Sequence, residues 1–136
     1  MIFNYVDLLG VPYRYGGRDQ TGLDCWGLCI EIYKRLGIDL PDVLSPAEGT
    51  HEEIVTGIRQ HSDLVSRIDQ PEPFCIALFH IHSRDFADHI GIVLEDTRRF
   101  VHIYDGMNVH LVRLDHPFWS KRIIGFYRWK TFRSKK

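Results

Sequence analysis

The chain has 136 residues, of which 44% are hydrophobic and 26% are charged, a composition typical of one compact domain and not of a disordered chain. A formal net charge of −1 gives no general attraction to nucleic acid, and no stretch approaches the roughly 18 apolar residues of a membrane span. The first residues lack the basic and apolar regions of a signal peptide, so we expect none and predict synthesis in the cytoplasm.

The N-terminal half of the sequence predicts helices. Residues 2–9 have the pattern of a short amphipathic helix that ends at Gly10, and residues 11–24 have the glycines of a loop. Residues 25–36 carry apolar side chains at helical spacing, with Asp24 as the N-cap and a glycine at the C-terminal end. Residues 50–53 have the spacing of a capping box and predict a further helix of about one to two dozen residues.

After the prolines at positions 71 and 73, the apolar pattern becomes that of strands. Strands are predicted at residues 75–81, 89–94, 100–104, 109–114 and 123–129, with a hairpin signal at 105–106 and a helical turn near Phe118. Helices followed by strands predict an α+β domain, with N-terminal helices packed on an antiparallel sheet of about five strands. We place this single domain at residues 1–129 and a basic tail at residues 130–136.

Cys25 falls at the first position of a predicted helix, directly after Asp24. The first-turn N–H groups and the helix dipole favour a thiolate there, so the sequence predicts a thiol pKa below the usual value of about 8.5 and a nucleophile. The alternative is a small buried residue at the start of a core helix, which is the more common place for cysteine. This stretch alone leaves both interpretations open.

Histidines on two neighbouring predicted strands could activate that thiol. His89 begins one strand and His102 lies in the next. If the two strands pair as a hairpin, one histidine can face the cysteine while the other orients the first, as in a catalytic triad. A single histidine in a strand is more often a half-buried structural side chain. Gly91 would let another backbone or a helix end approach this strand closely.

Five motifs together resemble the NlpC-type cell-wall cysteine peptidases. In chain order they are residues 13–17 (YRYGG), 22–28 (GLDCWGL), 40–41 (LP), 89–92 (HIGI) and 100–102 (FVH). The likeness extends from about residue 10 to residue 127, and it implies a papain-like fold reduced to a helical half and a sheet. It also implies hydrolysis of bacterial cell-wall stem peptides next to D-γ-glutamate, at the bond to the diamino acid. We expect no cofactor and no metal.

The resemblance implies four catalytic residues. Cys25 is the implied nucleophile, His89 the general base and His102 the polar residue that orients the base. The hydroxyl of Tyr13 is implied to lie near the oxyanion region.

Two further residues are implied to bind substrate. Asp24 helps to hold the free amino group of the substrate, and Trp26 stands where secreted members commonly have serine, which implies a bulkier and less polar subsite. Trp26 and residues 125–129 (GFYRW) resemble phage-tail members of the family. The implied partners are therefore peptidoglycan stem peptides and phage tail-tip proteins, at the cell wall, with no nucleic acid and no membrane. The Gly-Asp that usually precedes the first central strand is missing here.

A second function class is open as well, a non-catalytic or zinc-binding module. Cys29 follows Cys25 by one helical turn, so Cys25, Cys29, His89 and His102 could be four zinc ligands. Cys29 is more simply a core residue. We expect the other strand histidines, at positions 80, 82 and 110, to contribute little to activity.

Overall fold

The computed structural model describes residues 4–40, 65–81, 89–104 and 106–129. A 3₁₀ turn (Val6–Leu8) is followed by two short paired strands, β1 (Arg18–Asp19) and β2 (Gly22–Leu23), and by helix α1 (Cys25–Arg35). Six further strands form one sheet: β3 (Val65–Ile68), β4 (Ile76–Phe79), β5 (His89–Val93), β6 (Arg99–His102), β7 (His110–Arg113) and β8 (Ile123–Trp129). A short helix, α2 (Pro117–Ser120), joins β7 to β8. The strand order is β3-β8-β4-β5-β6-β7, and all neighbouring strands are antiparallel.

Helix α1 lies on one face of the sheet and forms the larger core with it. Side chains at helical spacing on α1 face sheet residues that are two apart. The helix contributes Trp26, Leu28, Cys29, Ile32 and Tyr33, and the sheet contributes Ile76, Leu78, Ile90, Ile92, Val101 and Trp129. The ring centroids of Trp26 and Trp129 are 5.9 Å apart, which ties the first turn of α1 to β8. Burial of this face holds α1 against the sheet.

The opposite face of the sheet carries a smaller core beneath α2. It is formed by the strand residues that alternate with those of the larger core: Cys75, Ala77, Phe79, Val93 and Phe100, together with Trp119 of α2. The indole of Trp119 makes edge contacts with Phe79 and Phe100, at centroid distances of 5.5 and 5.9 Å. His116 caps α2, because its Nδ1 accepts the N–H of Phe118 at 3.1 Å. The cap and the buried indole hold this short helix in place.

Most predicted elements are confirmed. The helix predicted at 25–36 is α1, the turn near Phe118 is α2, and the five predicted strands are β4 to β8, with ends that differ by a few residues. The α+β class with an antiparallel sheet is confirmed as well.

Two predictions of elements differ from the structure. Of the helix predicted at 2–9, only the turn at Val6–Leu8 forms among the described residues, since Leu9 is extended and Gly10 has a φ of 89°. The sheet has six strands because Val65–Ile68 pairs with β8 at the edge, where a helix of two dozen residues starting at 50 would have continued. The rest of that predicted helix and the tail at 130–136 lie outside the described residues. No helix in the described part of the chain is long and apolar enough to cross a membrane.

Candidate active site

The Asp24 carboxylate caps α1 and is buried, with 1% of the residue exposed. Its Oδ1 accepts the N–H of Gly27 at 2.7 Å and Nη1 of Arg18 at 2.8 Å, and its Oδ2 accepts the N–H of Gly16 at 3.2 Å. A charged group taken out of water needs such partners. The loop before α1 is therefore tied to the first turn of the helix, at the position of the nucleophile candidate.

Gly27 allows the loop to lie against this turn. A Cβ at Gly27 would be 2.2 Å from the carbonyl oxygen of Gly17, a distance that no side chain tolerates. The same carbonyl accepts Nη1 of Arg18 at 2.8 Å. The glycines of the motif thus permit two backbone segments to touch, and this contact supports the helix end.

Cys25 is the first residue of α1 and is 1% exposed. Burial raises the pKa of its thiol, and the charge of Asp24 raises it further. The backbone N–H groups of the first turn and the Arg18 guanidinium act in the opposite direction and are outweighed. The predicted lowering of this pKa is therefore wrong for the structure, and the resting group is a neutral thiol.

His89 and His102 form a buried pair on adjacent strands. His89 Nε2 and His102 Nδ1 are 2.8 Å apart, and the residues are 1% and 0% exposed. The predicted hairpin of β5 and β6 is confirmed. A Cβ at Gly91 would lie 2.8 Å from a ring carbon of Phe100 and 3.5 Å from Cβ of His102. Gly91 thus makes room for side chains of the next strand, and the expected approach of a backbone or helix end is corrected.

Other rings enclose the imidazole of His102. Its centroid lies 4.3 Å from that of His110, 4.6 Å from that of Trp119 and 4.9 Å from that of Phe100. Burial lowers the pKa of His102 to about 3, and the charge of His110 contributes to the lowering. At neutral pH His102 is therefore uncharged, so it can exchange a hydrogen bond with His89 without adding a second positive charge.

The histidine pair and the cysteine are held by contacts of their own. His89 and His102 contact Trp119 of α2, and Cys25 packs in the larger core at the first turn of α1. The structure brings the predicted base and the predicted orienting residue together. The contact of Cys25 with His89 stays a prediction.

The remaining predicted site residues have different outcomes. Tyr13 packs against the larger core, and its backbone N–H donates to the carbonyl of Met107 at 3.0 Å, while the role of its hydroxyl stays a prediction. Trp26 is 1% exposed and packs on Trp129. That burial gives no support to Trp26 as the wall of a subsite, because an indole enclosed in the core offers no surface to a substrate. The pairing of Asp24 with a substrate amino group stays a prediction.

The alternative zinc site is not formed. Within the described ranges, which include all four proposed ligands, no group of three or more His, Cys, Asp or Glu side chains could hold a metal ion. Cys29 is fully buried in the larger core. His89 and His102 direct one nitrogen each at the other, which leaves these atoms engaged.

Sequence reasoning missed three residues around the site: Arg18, His110 and Trp119. Arg18 neutralises Asp24, and only its place in the loop before a capping aspartate could have indicated this. Trp119 closes the face that carries the histidines. His110, which we expected to contribute little, lies directly opposite His102 in the pairing of β6 with β7.

Comparison with known proteins adds the family. Residues 10–128 match the model of the NlpC/P60 family. The chain is 36% identical over 122 residues to Probable endopeptidase YafL of Escherichia coli K12, covering 88% of this chain and 45% of that protein. It is 27% identical over 119 residues to the Murein DD-endopeptidase MepS/Murein LD-carboxypeptidase of the same organism, covering 87% and 55%.

A solved structure agrees with the sequence relatives. An NLP/P60-family protein from Staphylococcus aureus, described as similar to lipoprotein, superposes with a TM-score of 0.63 at 25% identity, covering 91% of this chain and 38% of that one. The chain spans about half the length of the two sequence relatives. Since the family model matches nearly the whole chain and the motifs lie on the expected helix and strands, this protein belongs to the NlpC/P60 family.

Proposed function

We propose that this chain is a cysteine peptidase that hydrolyses bacterial cell-wall stem peptides. Membership of the NlpC/P60 family supports this class of activity, and the names of both sequence relatives include an endopeptidase, in one case of murein. The observation that carries the proposal is the buried hydrogen bond between His89 Nε2 and His102 Nδ1. Such a pair on adjacent strands provides a base and its orienting partner.

The direction of that hydrogen bond decides which nitrogen acts as the base. When Nε2–H of His89 donates to Nδ1 of His102, Nδ1 of His89 is the unprotonated nitrogen and can accept the thiol proton. Because burial keeps the pKa of His102 near 3, His102 stays neutral and does not compete for that proton. The pair therefore suits proton transfer at neutral pH.

The proposed reaction is acyl transfer through a thioester. The proton of Cys25 Sγ moves to Nδ1 of His89, and the sulfur attacks the carbonyl carbon of the scissile amide. The His89 imidazolium then gives its proton to the leaving amine, and water hydrolyses the thioester with His89 again as the base. Coupled proton transfer fits a thiol whose pKa burial raises. The Tyr13 hydroxyl is proposed to stabilise the oxyanion.

The finer part of the proposal concerns the bond and the setting. The motifs favour cleavage of the D-γ-glutamyl–diamino acid bond, with Asp24 beside the free amino group of the substrate. Because Arg18 already neutralises Asp24, the contribution of Asp24 to binding should be smaller than that of an unpaired carboxylate. Residues 125–129 support a phage-tail setting, in which the enzyme acts at the wall from a virion.

Digestion of defined muropeptides followed by mass spectrometry tests the proposal. The wild type should release fragments cut between D-glutamate and the diamino acid, and Cys25→Ala should abolish this cleavage. Cys29→Ala is the matched control, since it removes the neighbouring buried thiol, and it should retain most of the activity. Cleavage that survives in Cys25→Ala, or that is lost only in Cys29→Ala, would reject the assignment.

The same digests test the setting. The two finer parts make opposite predictions. Pairing with Asp24 predicts faster cleavage of stem peptides with a free amino group, whereas a tail enzyme that meets intact wall should cleave stem peptides that still carry N-acetylmuramic acid at least as fast. Competition of the two forms in one digest decides between them, and faster cleavage of the muramyl form would reject the pairing with Asp24.

A further inference from the structure

His110 is the cross-strand neighbour of His102. The two residues are paired in the register of β6 with β7, and their ring centroids lie 4.3 Å apart at an interplanar angle of 55°. His110 is only partly buried, and it lines an open cavity of about 600 Å³ together with other residues of β7 and with Trp119 of α2. The three imidazoles of His89, His102 and His110 thus form a row that runs from the core to this cavity.

A backbone carbonyl determines which nitrogen of His110 carries the proton. Nδ1 of His110 lies 2.7 Å from the carbonyl oxygen of Asn108. A carbonyl oxygen only accepts hydrogen bonds, so Nδ1 must carry the proton. In the neutral ring Nε2 of His110 is then unprotonated.

The hydrogen bond with His89 decides which nitrogen of His102 carries the proton. If Nδ1 of His102 accepts from His89, the neutral ring of His102 carries its proton on Nε2. In the described part of the chain this Nε2 is buried and has no hydrogen-bond partner. An N–H in that position is costly in an apolar environment. The neutral ring of His110, whose centroid lies 4.3 Å from that of His102, can lower this cost electrostatically without a hydrogen bond.

We propose that His110 is a positioning residue, which selects the Nε2–H tautomer of His102 and so directs His89 to act as base through Nδ1. The contact of the two rings and the fixed tautomer of His110 carry this inference, which rests on the proposed function for its catalytic consequence. Trp119 packs edge-on against His102, at a centroid distance of 4.6 Å. The Asn108 carbonyl thus fixes the tautomer of His110, His110 favours one tautomer of His102, and that tautomer decides which nitrogen of His89 is the base.

Other charged or titratable groups lie near the three imidazoles. On the core side, the rings of His89 and Tyr104 are in contact, at a centroid distance of 5.3 Å. On the cavity side the lining includes Arg113, Asp115 and His116. Arg113 and Asp115 pair with each other at 2.7 Å, so their charges largely cancel at the cavity wall.

Nitrogen-15 NMR of the histidine rings tests the inference without any need for activity. In the wild type we expect His110 as the Nδ1–H tautomer and His102 as the Nε2–H tautomer. His110→Phe keeps a ring in contact with His102 but removes both nitrogens, so His102 should shift towards the Nδ1–H tautomer. His110→Gln keeps a donor for the Asn108 carbonyl and a polar group beside the His102 ring, and it should restore the wild-type tautomer.

Kinetics supply the second readout. His110→Phe should lower kcat about tenfold with little change in KM, as expected for one weakened hydrogen bond behind the base, and His110→Gln should recover most of the loss. His80→Gln is the control histidine, outside the row, and should leave both parameters unchanged. An Nε2–H tautomer for His110 in the wild type, or an unchanged His102 tautomer in His110→Phe, would overturn the inference. Loss of the proposed function has a different signature: correct tautomers in a wild type that cleaves no stem peptide.

Discussion

Asp24 and Cys25 are neighbours in the sequence, and burial affects them in opposite ways. The Asp24 carboxylate is held by backbone N–H groups and by Arg18, which makes a buried charge tolerable. Cys25 avoids the same cost by keeping its proton, because burial and the adjacent carboxylate both raise its pKa. The capping residue that starts the helix therefore also opposes early formation of the thiolate.

The raised pKa of Cys25 should make its alkylation depend on pH. In the Cys29→Ala variant we expect the rate with iodoacetamide to rise steadily from neutral to alkaline pH, without a plateau near neutrality, because the reactive form is the thiolate. Intact-protein mass spectrometry measures the rate. His89→Ala lacks the proposed proton acceptor and should react more slowly still. A rate already at its maximum near neutral pH would contradict the raised pKa.

His102 should make the fold sensitive to acid. Its pKa is about 3 in the folded protein and about 6.5 when unfolded, so the unfolded chain takes up the proton first. The stabilisation is complete above about pH 6.5 and is lost as the pH falls towards the folded value. Near pH 5 the loss should be about 2 kcal/mol, at about 1.4 kcal/mol per pH unit.

Urea unfolding at about pH 5 and at about pH 7 checks this expectation. His102→Gln cannot be protonated, so its free energy of unfolding should fall about 2 kcal/mol less than that of the wild type. An equal fall in both proteins would assign the acid sensitivity to other groups.

Between elements, the register of β6 and β7 shows why part of the site escaped prediction. A two-residue turn at 105–106 would place His102 opposite Val109 and turn His110 to the other face. The structure pairs His102 with His110, one residue out of that register, and the N–H of Met107 donates to the carbonyl of Tyr104 at 2.9 Å. The strands on either side of the signal do pair as a hairpin, but the number of loop residues decides which side chains meet.

The predicted features that were correct depend on local chemistry, and those that were missed depend on partners distant in sequence. The Asp24 cap and the strand pattern around His89 are local, and both are confirmed. The edge strand Val65–Ile68 exists because β8 pairs with it, and the pKa of Cys25 depends on how deeply α1 packs. Neither can be read from a window of sequence.

Two glycines in strands should respond differently to alanine. A Cβ at Gly91 would lie 2.8 Å from the buried ring of Phe100, whereas a Cβ at Gly125 would meet the exposed side chain of Arg67 at 3.3 Å. We expect Gly91→Ala to cost about 1–3 kcal/mol of stability through overpacking, and Gly125→Ala to cost much less because Arg67 can move. Thermal unfolding compares the two. A similar cost for both would show that the Phe100 ring gives way easily.

Across the whole molecule, one sheet serves both cores. Trp26 and Trp129 report on the larger core and Trp119 on the smaller one. Because β4, β5 and β6 contribute side chains to both faces, the two cores should unfold together. Trp119→Phe leaves only the tryptophans of the larger core, and the Trp26→Phe, Trp129→Phe double variant leaves only that of the smaller core. In each variant we expect the unfolding transition measured by fluorescence to coincide with the one measured by circular dichroism. An earlier fluorescence transition than circular dichroism in the double variant would mean that the α2 face opens alone.

The burial of the thiols also bears on how the protein withstands oxidants. Cys25, Cys29 and Cys75 are all buried and unbridged, and burial raises the pKa of each. Peroxide attacks exposed thiolates, and a nucleophile that reaches the sulfinic stage is lost to catalysis. A resting state with buried and protonated sulfurs should therefore slow oxidation by peroxide, and we expect the thiols to stay reduced during purification in air.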